Sequence, residues 1–97
     1  MILLNTIIAK MYKLEVRESV DRIFKKLFKK DKVSFGYINK KIKEILENPY
    51  HFKPLRKPMQ NYRRVHIGNF VLIYSINEKT KTVIIERYAH HDHAYKA

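Results

Sequence analysis

Two groups of side chains in this sequence have the types that phosphate chemistry uses. Arg64 and His66 stand two apart in YRRVHIGNFVLIY (62–74), and Arg87, His90, His91, His93 and Tyr95 crowd the tail ERYAHHDHAYKA (86–97). A guanidinium grips phosphate oxygens through a rigid fork of donors, and an imidazole exchanges protons near neutral pH. The tail therefore reads as an acid–base and phosphate-contact group, with a plain exposed tail as the competing reading. Lys53, Arg56, Lys57 and Arg63 add to Arg64, and no Asp or Glu occurs between Asn48 and Asn77 to neutralise them. That uncompensated cluster reads as a phosphate-binding surface. A metal site made from the tail histidines and Asp92 is set aside, because adjacent residues rarely converge on one ion. No metal and no cofactor is expected.

The whole chain supports a polyanionic partner. It has 97 residues, a net charge of +12 and no cysteine. Such a charge attracts nucleic acid first and anionic membrane surfaces second, while a solvated lysine-rich surface is the bland alternative. The lack of cysteine excludes thiolate and disulfide chemistry and fits a reducing compartment, so a cytoplasmic protein is expected. One domain with one core is all this length supports. The opening MILLNTIIAK is far shorter than the ~20 residues of a membrane span. It reads as an extension of the first strand or an upstream start, with the core beginning at Met11.

Those side chains need a scaffold, and the hydrophobic periods supply one. Tyr12, Leu14 and Val16 alternate with charged residues, as in a half-buried strand. Ser19 offers an N-cap to a helix striped by Val20, Ile23, Phe24, Leu27 and Phe28. Asp31 offers a second cap, to a helix striped by Phe35, Ile38, Ile42, Ile45 and Leu46 that ends before Pro49. The lysines on the far side of both helices read as a solvated face. After a Pro-punctuated connection, strands are predicted at 62–67, 70–76 and 82–88. The order β-α-α-β-β-β predicts an α+β fold, with a two-helix hairpin on one face of an antiparallel sheet whose other face is open or covered by a partner.

Gly68-Asn69 suits a two-residue type II′ hairpin, which pairs Ile67 with Phe70 and Arg64 with Ile73. Val65, Ile67, Phe70, Leu72 and Tyr74 then line the core, Arg64 and His66 share the opposite face with Val71 and Ile73, and Arg63 sits at the core-side rim.

The segments ILENP, PLR, YRRVHIGNFVLIYSI and TVIIERYAHHDHAY, in this order and spacing, resemble the RelE/ParE toxin superfamily, RelE-type toxins in particular. The resemblance implies two helices against a curved antiparallel sheet, metal-free cleavage of messenger RNA in the ribosomal A site, and a hetero-oligomeric complex with a RelB-like antitoxin. Arg64 and His66 stand where the family places two basic side chains. Tyr95 matches a tail tyrosine, and His90 matches the histidine of a common HRxxVY pattern in which His91 replaces the arginine. Val71 departs from it, standing where active members commonly carry a phosphate-holding arginine; Arg87, Arg56 or a tail histidine replaces that charge, or activity is weakened, or the target differs. The implied catalytic set is Arg64, His66, Arg87, His91 and Tyr95, with Lys53, Arg56, Lys57, Arg63 and His90 as RNA contacts. Two alternatives stand beside it: a ParE-like inhibitor of DNA gyrase in the same fold, and a basic RNA-binding module using Tyr50, Phe52 and Tyr62 to stack bases.

Overall fold

A computed structural model of the chain describes residues 11–95, so the expectation for the first ten residues lies outside the described residues. The elements are β1 (Lys13–Val16), α1 (Glu18–Lys30), α2 (Lys32–Glu47), β2 (Tyr62–Ile67), β3 (Phe70–Asn77) and β4 (Thr82–His90). Element order and fold class are as the periods predict. Among the described residues, no helix is long and apolar enough to cross a membrane.

The helix hairpin turns on one residue. Asp31 ends α1 and caps α2, its carboxylate accepting from the Ser34 backbone N–H at 3.1 Å and from the Ser34 hydroxyl at 2.7 Å. Those bonds favour the ionised form and hold the carboxyl below its usual range. The start of α1 differs from expectation. Arg17 is the N-cap, without a side-chain cap bond, and Ser19 lies in the first turn. There Glu18 and Asp21 face the positive end of the helix dipole and pair with Arg22 and Lys25, one turn on.

Val20 and Phe24 from α1 and Ile38, Ile42 and Ile45 from α2 pack against Val65, Leu72, Tyr74, Val83, Ile85 and Tyr88 of the sheet. Ile23, Phe28 and Phe70, expected in that layer, stay exposed. Ile23 lines a groove beyond the core, and Phe28 meets Phe35 edge-on at the helix turn.

The sheet has strand order β1-β4-β3-β2. β2 pairs with β3 in the predicted register, from Ile67 opposite Phe70 to Arg63 opposite Tyr74. Gly68 has φ +61, and among the described non-glycine residues only Lys81 has a positive φ, so Asn69 is unstrained and the turn has the type II′ pattern. The sheet is mixed, not wholly antiparallel, because β1 runs parallel to β4. Two successive hairpins give β2 and β4 one direction, and the excursion through α1, α2 and residues 48–61 lets β1 share it.

That connection is fastened at three places. The Tyr74 hydroxyl, inside the core, donates to the Pro49 carbonyl at 2.6 Å. The Arg63 guanidinium donates to the Phe52 carbonyl at 2.6 Å and lies 5.0 Å over the Tyr50 ring. The Leu55 N–H donates to the Tyr62 carbonyl, and the Arg64 N–H to the Lys53 carbonyl, so this segment covers the free edge of β2.

Candidate functional site

Strand alternation and one irregularity build the outer face of the sheet, opposite the helices. Arg64 on β2 is opposite Ile73 on β3, and Ile73 is opposite Arg87 on β4. The next row toward the turn is His66, Val71 and Ala89. Strict alternation from Val83 and Ile85 would send Arg87 into the core and Tyr88 out of it. Instead the register slips between Ile73 and Tyr74, leaving Glu86 as an extra residue. This β-bulge keeps Val83, Ile85 and Tyr88 inward and turns Arg87 to the outer face, level with Arg64.

The tail returns across that face. The His91 N–H donates to the Asn69 carbonyl at 2.9 Å, and the His93 N–H donates to the His90 carbonyl at 2.8 Å. This turn sets Ala94, 0% exposed, into a small cluster with Val71, Ile73 and Leu55. The outer face is thus partly closed by the chain itself, where an open or partner-covered face was expected. Arg87 Nη1 donates to the Ala94 carbonyl at 3.0 Å. Arg64 Nη1 donates to the Tyr95 hydroxyl at 3.2 Å, with its guanidinium 5.9 Å over the ring. Two clefts flank the tail: one of about 220 Å³ with Arg56, Met59, Arg64 and Tyr95, another of about 190 Å³ with Tyr62, Glu86 and Arg87. Arg56, Arg64 and Tyr95 are exposed there, a cationic rim with an aromatic ring over it.

The structure therefore sets Arg56, Arg64 and Tyr95 along one cleft and Arg87 along the other, level with Arg64, with His66 exposed one row away. Lys53 and Lys57 are exposed on the connection. Arg63 turns to the opposite face, as strand alternation demands, and is committed to the carbonyls of Tyr50 and Phe52. His90 also leaves the outer face, meeting Phe70 edge-on at 5.7 Å. Phe52 packs against the main core and Tyr62 against the small outer cluster, while the Tyr50 hydroxyl bonds Glu78.

Sequence reasoning missed Glu86. It accepts from Arg17 Nε at 2.9 Å and from the Ser75 hydroxyl at 2.6 Å, placing a carboxylate beside Arg87. The signal was present: period two could not bury Ile85 and Tyr88 together without an extra residue between them. Although they are consecutive in sequence, His90, His91 and Asp92 have ligand atoms within 4.8 Å of one another, contrary to expectation, because the chain turns at the end of β4.

On the helix side lies a separate groove of about 770 Å³, lined by Ile23, Leu27, Tyr37, Phe70 and Tyr88 and edged by Lys40 and Lys41. His66 and the Gly68-Asn69 turn border it, so it opens near the end of the outer face.

Comparison with known proteins places the fold and the family. The chain is 46% identical over 87 residues to a protein of Methanocaldococcus jannaschii that bears the toxin name RelE4, covering 89% of this chain and 93% of that protein. The fold matches a YoeB/ParE toxin from Agrobacterium tumefaciens with TM-score 0.72 at 17% identity, over 81% of this chain and 98% of that one. It also matches the RelBE2 toxin–antitoxin complex of Mycobacterium tuberculosis with TM-score 0.68 at 22% identity, over 82% of this chain and 98% of that one. Residues 11–95 match the family described as the ParE toxin of type II toxin–antitoxin systems, parDE, and the chain belongs to that RelE/ParE toxin family.

Proposed function

We propose that the chain is a ribosome-dependent endoribonuclease toxin that cuts messenger RNA in the A site without a metal. The observation that carries this reading is the row Arg64–Ile73–Arg87, two guanidiniums on one face with Tyr95 beside them. The RNA 2′-oxygen attacks the adjacent phosphorus, forming a P–O2′ bond as the P–O5′ bond breaks. The base takes the 2′-hydroxyl proton, and the acid gives one to the departing 5′-oxygen. Arg64 and Arg87 stabilise charge on the phosphorane. His66 or His91 moves the protons, and Tyr95 stacks on or orients the nucleotide. Lys53, Arg56 and Lys57 hold flanking phosphates. The ribosome orients the messenger, so naked RNA is a poor substrate.

A RelB-like antitoxin is the proposed cytoplasmic partner. An amphipathic helix suits the helix-side groove, whose floor is apolar and whose edge carries Lys40 and Lys41 beside Asp31 and Glu44.

Primer-extension mapping of a defined messenger, with and without ribosomes, tests the reading. Arg64→Ala, Arg87→Ala and His91→Ala should each reduce A-site cleavage by about 10²–10⁴-fold. A loss below about tenfold for all three would refute the assignment. One observation favours a second reading, a ParE-like inhibitor of gyrase: Val71, at the place of the usual phosphate-holding arginine, is apolar and fully buried. Intact messenger at saturating protein, with gyrase supercoiling inhibited, would establish that alternative.

A further inference from the structure

The turn that follows β4 carries three metal-type ligands on consecutive residues. In an extended strand, consecutive side chains point to opposite faces and cannot share an ion. Here the chain turns at the end of β4, and the two bonds that close the turn, from His91 N–H to Asn69 and from His93 N–H to His90, draw the side chains together. His91 Nδ1 lies 3.0 Å from one Asp92 carboxylate oxygen, and His90 Nδ1 lies 3.4 Å from the other. The two imidazole rings are 4.4 Å apart.

We propose that His90, His91 and Asp92 form a binding site for a divalent transition metal of the zinc type, and that the metal fastens the tail over the outer sheet face. The spacing supports it. With ligand bonds of about 2.0–2.2 Å, the edges of a tetrahedral zinc site are roughly 3.3–3.6 Å long. The His91 Nδ1 separation from its Asp92 oxygen is already near that length, and His90 Nδ1, which now accepts the Asp92 backbone N–H at 3.2 Å, gives up that bond to take the ion. The gaps among the three ligand atoms are all within 4.8 Å, and the widest must shorten for one ion to be shared. Two imidazoles and one carboxylate select zinc, nickel or copper over magnesium and calcium, which need mostly oxygen ligands. A fourth position stays open to water. Asp92 supplies the negative charge that makes the spot tolerable for a cation on so basic a chain, and the more distant positive charges are screened within about a Debye length of 8–10 Å.

The site is placed to matter. Ala94 and Tyr95 follow it directly, and they hold the Ala94 carbonyl on Arg87 and the Tyr95 hydroxyl on Arg64. Metal binding fixes the turn from which both extend. It also takes His91 out of proton transfer, so metal inhibits cleavage. This last consequence rests on the function proposed above; metal binding does not.

The test is calorimetric titration of the untagged full-length chain with zinc chloride, with magnesium chloride as the hard-cation control. Hydrogen exchange at Ala94 and Tyr95 is followed in parallel. One-to-one zinc binding is expected, weakened at least about tenfold by Asp92→Asn and by His91→Ala. Slower exchange at Ala94 and Tyr95 should accompany it. No saturable zinc binding overturns the site. So does binding that persists in the folded variant lacking all three ligand side chains, or magnesium binding as strong as zinc. Zinc binding with unchanged exchange at Ala94 and Tyr95 overturns the fastening role. A chain that binds zinc at these residues but cuts no messenger even when free of zinc would sink the nuclease reading and leave the metal site standing.

Discussion

Tyr74→Phe isolates one hydrogen bond that holds the connection bearing Arg56 to the sheet. The Tyr74 side chain is fully buried, and its hydroxyl donates to the Pro49 carbonyl at 2.6 Å; Pro49 is buried as well. Phenylalanine keeps the ring and its packing, so no large cavity forms. What is lost is the bond, and the Pro49 oxygen is left away from water with no donor in its place. Such a change costs about 1–3 kcal/mol. For a domain of this size that lowers the thermal midpoint by about 5–20 °C. Urea unfolding followed by far-UV circular dichroism measures it, and a change below about 0.5 kcal/mol would refute the reasoning. Alkaline pH supplies an independent check. Burial pushes the Tyr74 hydroxyl up to about 12 from an ordinary 10.0. An unfolded tyrosine ionises first, so this contribution to stability is whole below pH 10 and is lost as pH rises toward about 12. The gap between wild type and Tyr74→Phe should therefore narrow across that window. Arg63 secures the same connection through the Phe52 carbonyl, so Arg63→Met combined with Tyr74→Phe should be non-additive by about 0.5–3 kcal/mol.

Glu78 bonds the hydroxyls of Tyr12 and Tyr50 and pairs with Lys81, whose bond contributes most to holding its carboxyl down at about 2. Its contribution to stability is present above the ordinary carboxylate range and is lost as pH falls from about 4.5 to about 2; acid titration of unfolding should show Glu78→Gln without that loss. Gly68→Ala meets no atom within 4 Å but must adopt φ +61, so it should cost about 1–2 kcal/mol in urea unfolding, from backbone strain alone. Ala94→Asp puts a carboxylate against Val71 and Ile73 and should lift the tail. Faster exchange at Tyr95, with protection in β3 and β4 unchanged, is the expected result.

Period two and period 3.6 were enough to place both helices, the β2–β3 register and the two faces of that hairpin. Each of those depends on neighbours close in sequence. The direction of β1 was not legible, because it depends on the path of residues 48–61, which is fixed by contacts such as Tyr74 to Pro49. Arg64 could be assigned to the outer face from the Gly68-Asn69 turn alone. Arg87 could not, because its face depends on the extra residue at Glu86. The start of α1 was misplaced at Ser19 because capping preference is weak beside the pairing of Arg17 N–H with the Ile85 carbonyl, which fixes where the strand ends.

Val71 takes on a different meaning once the outer face is seen. By sequence it is a missing arginine, a charge lost from the centre of a phosphate site. In the structure it is the floor of an apolar seat, covered by Ala94 and flanked by Ile73 and Leu55. An arginine at that position would have to displace Ala94 to reach a phosphate, and with it the carbonyl that Arg87 now holds. The small tail residue and the valine therefore belong to one arrangement: the charge is carried at the two ends of the row by Arg64 and Arg87, while the middle is used to hold the tail. It follows that restoring arginine by Val71→Arg alone should not raise activity, since it adds one cation and unseats Tyr95.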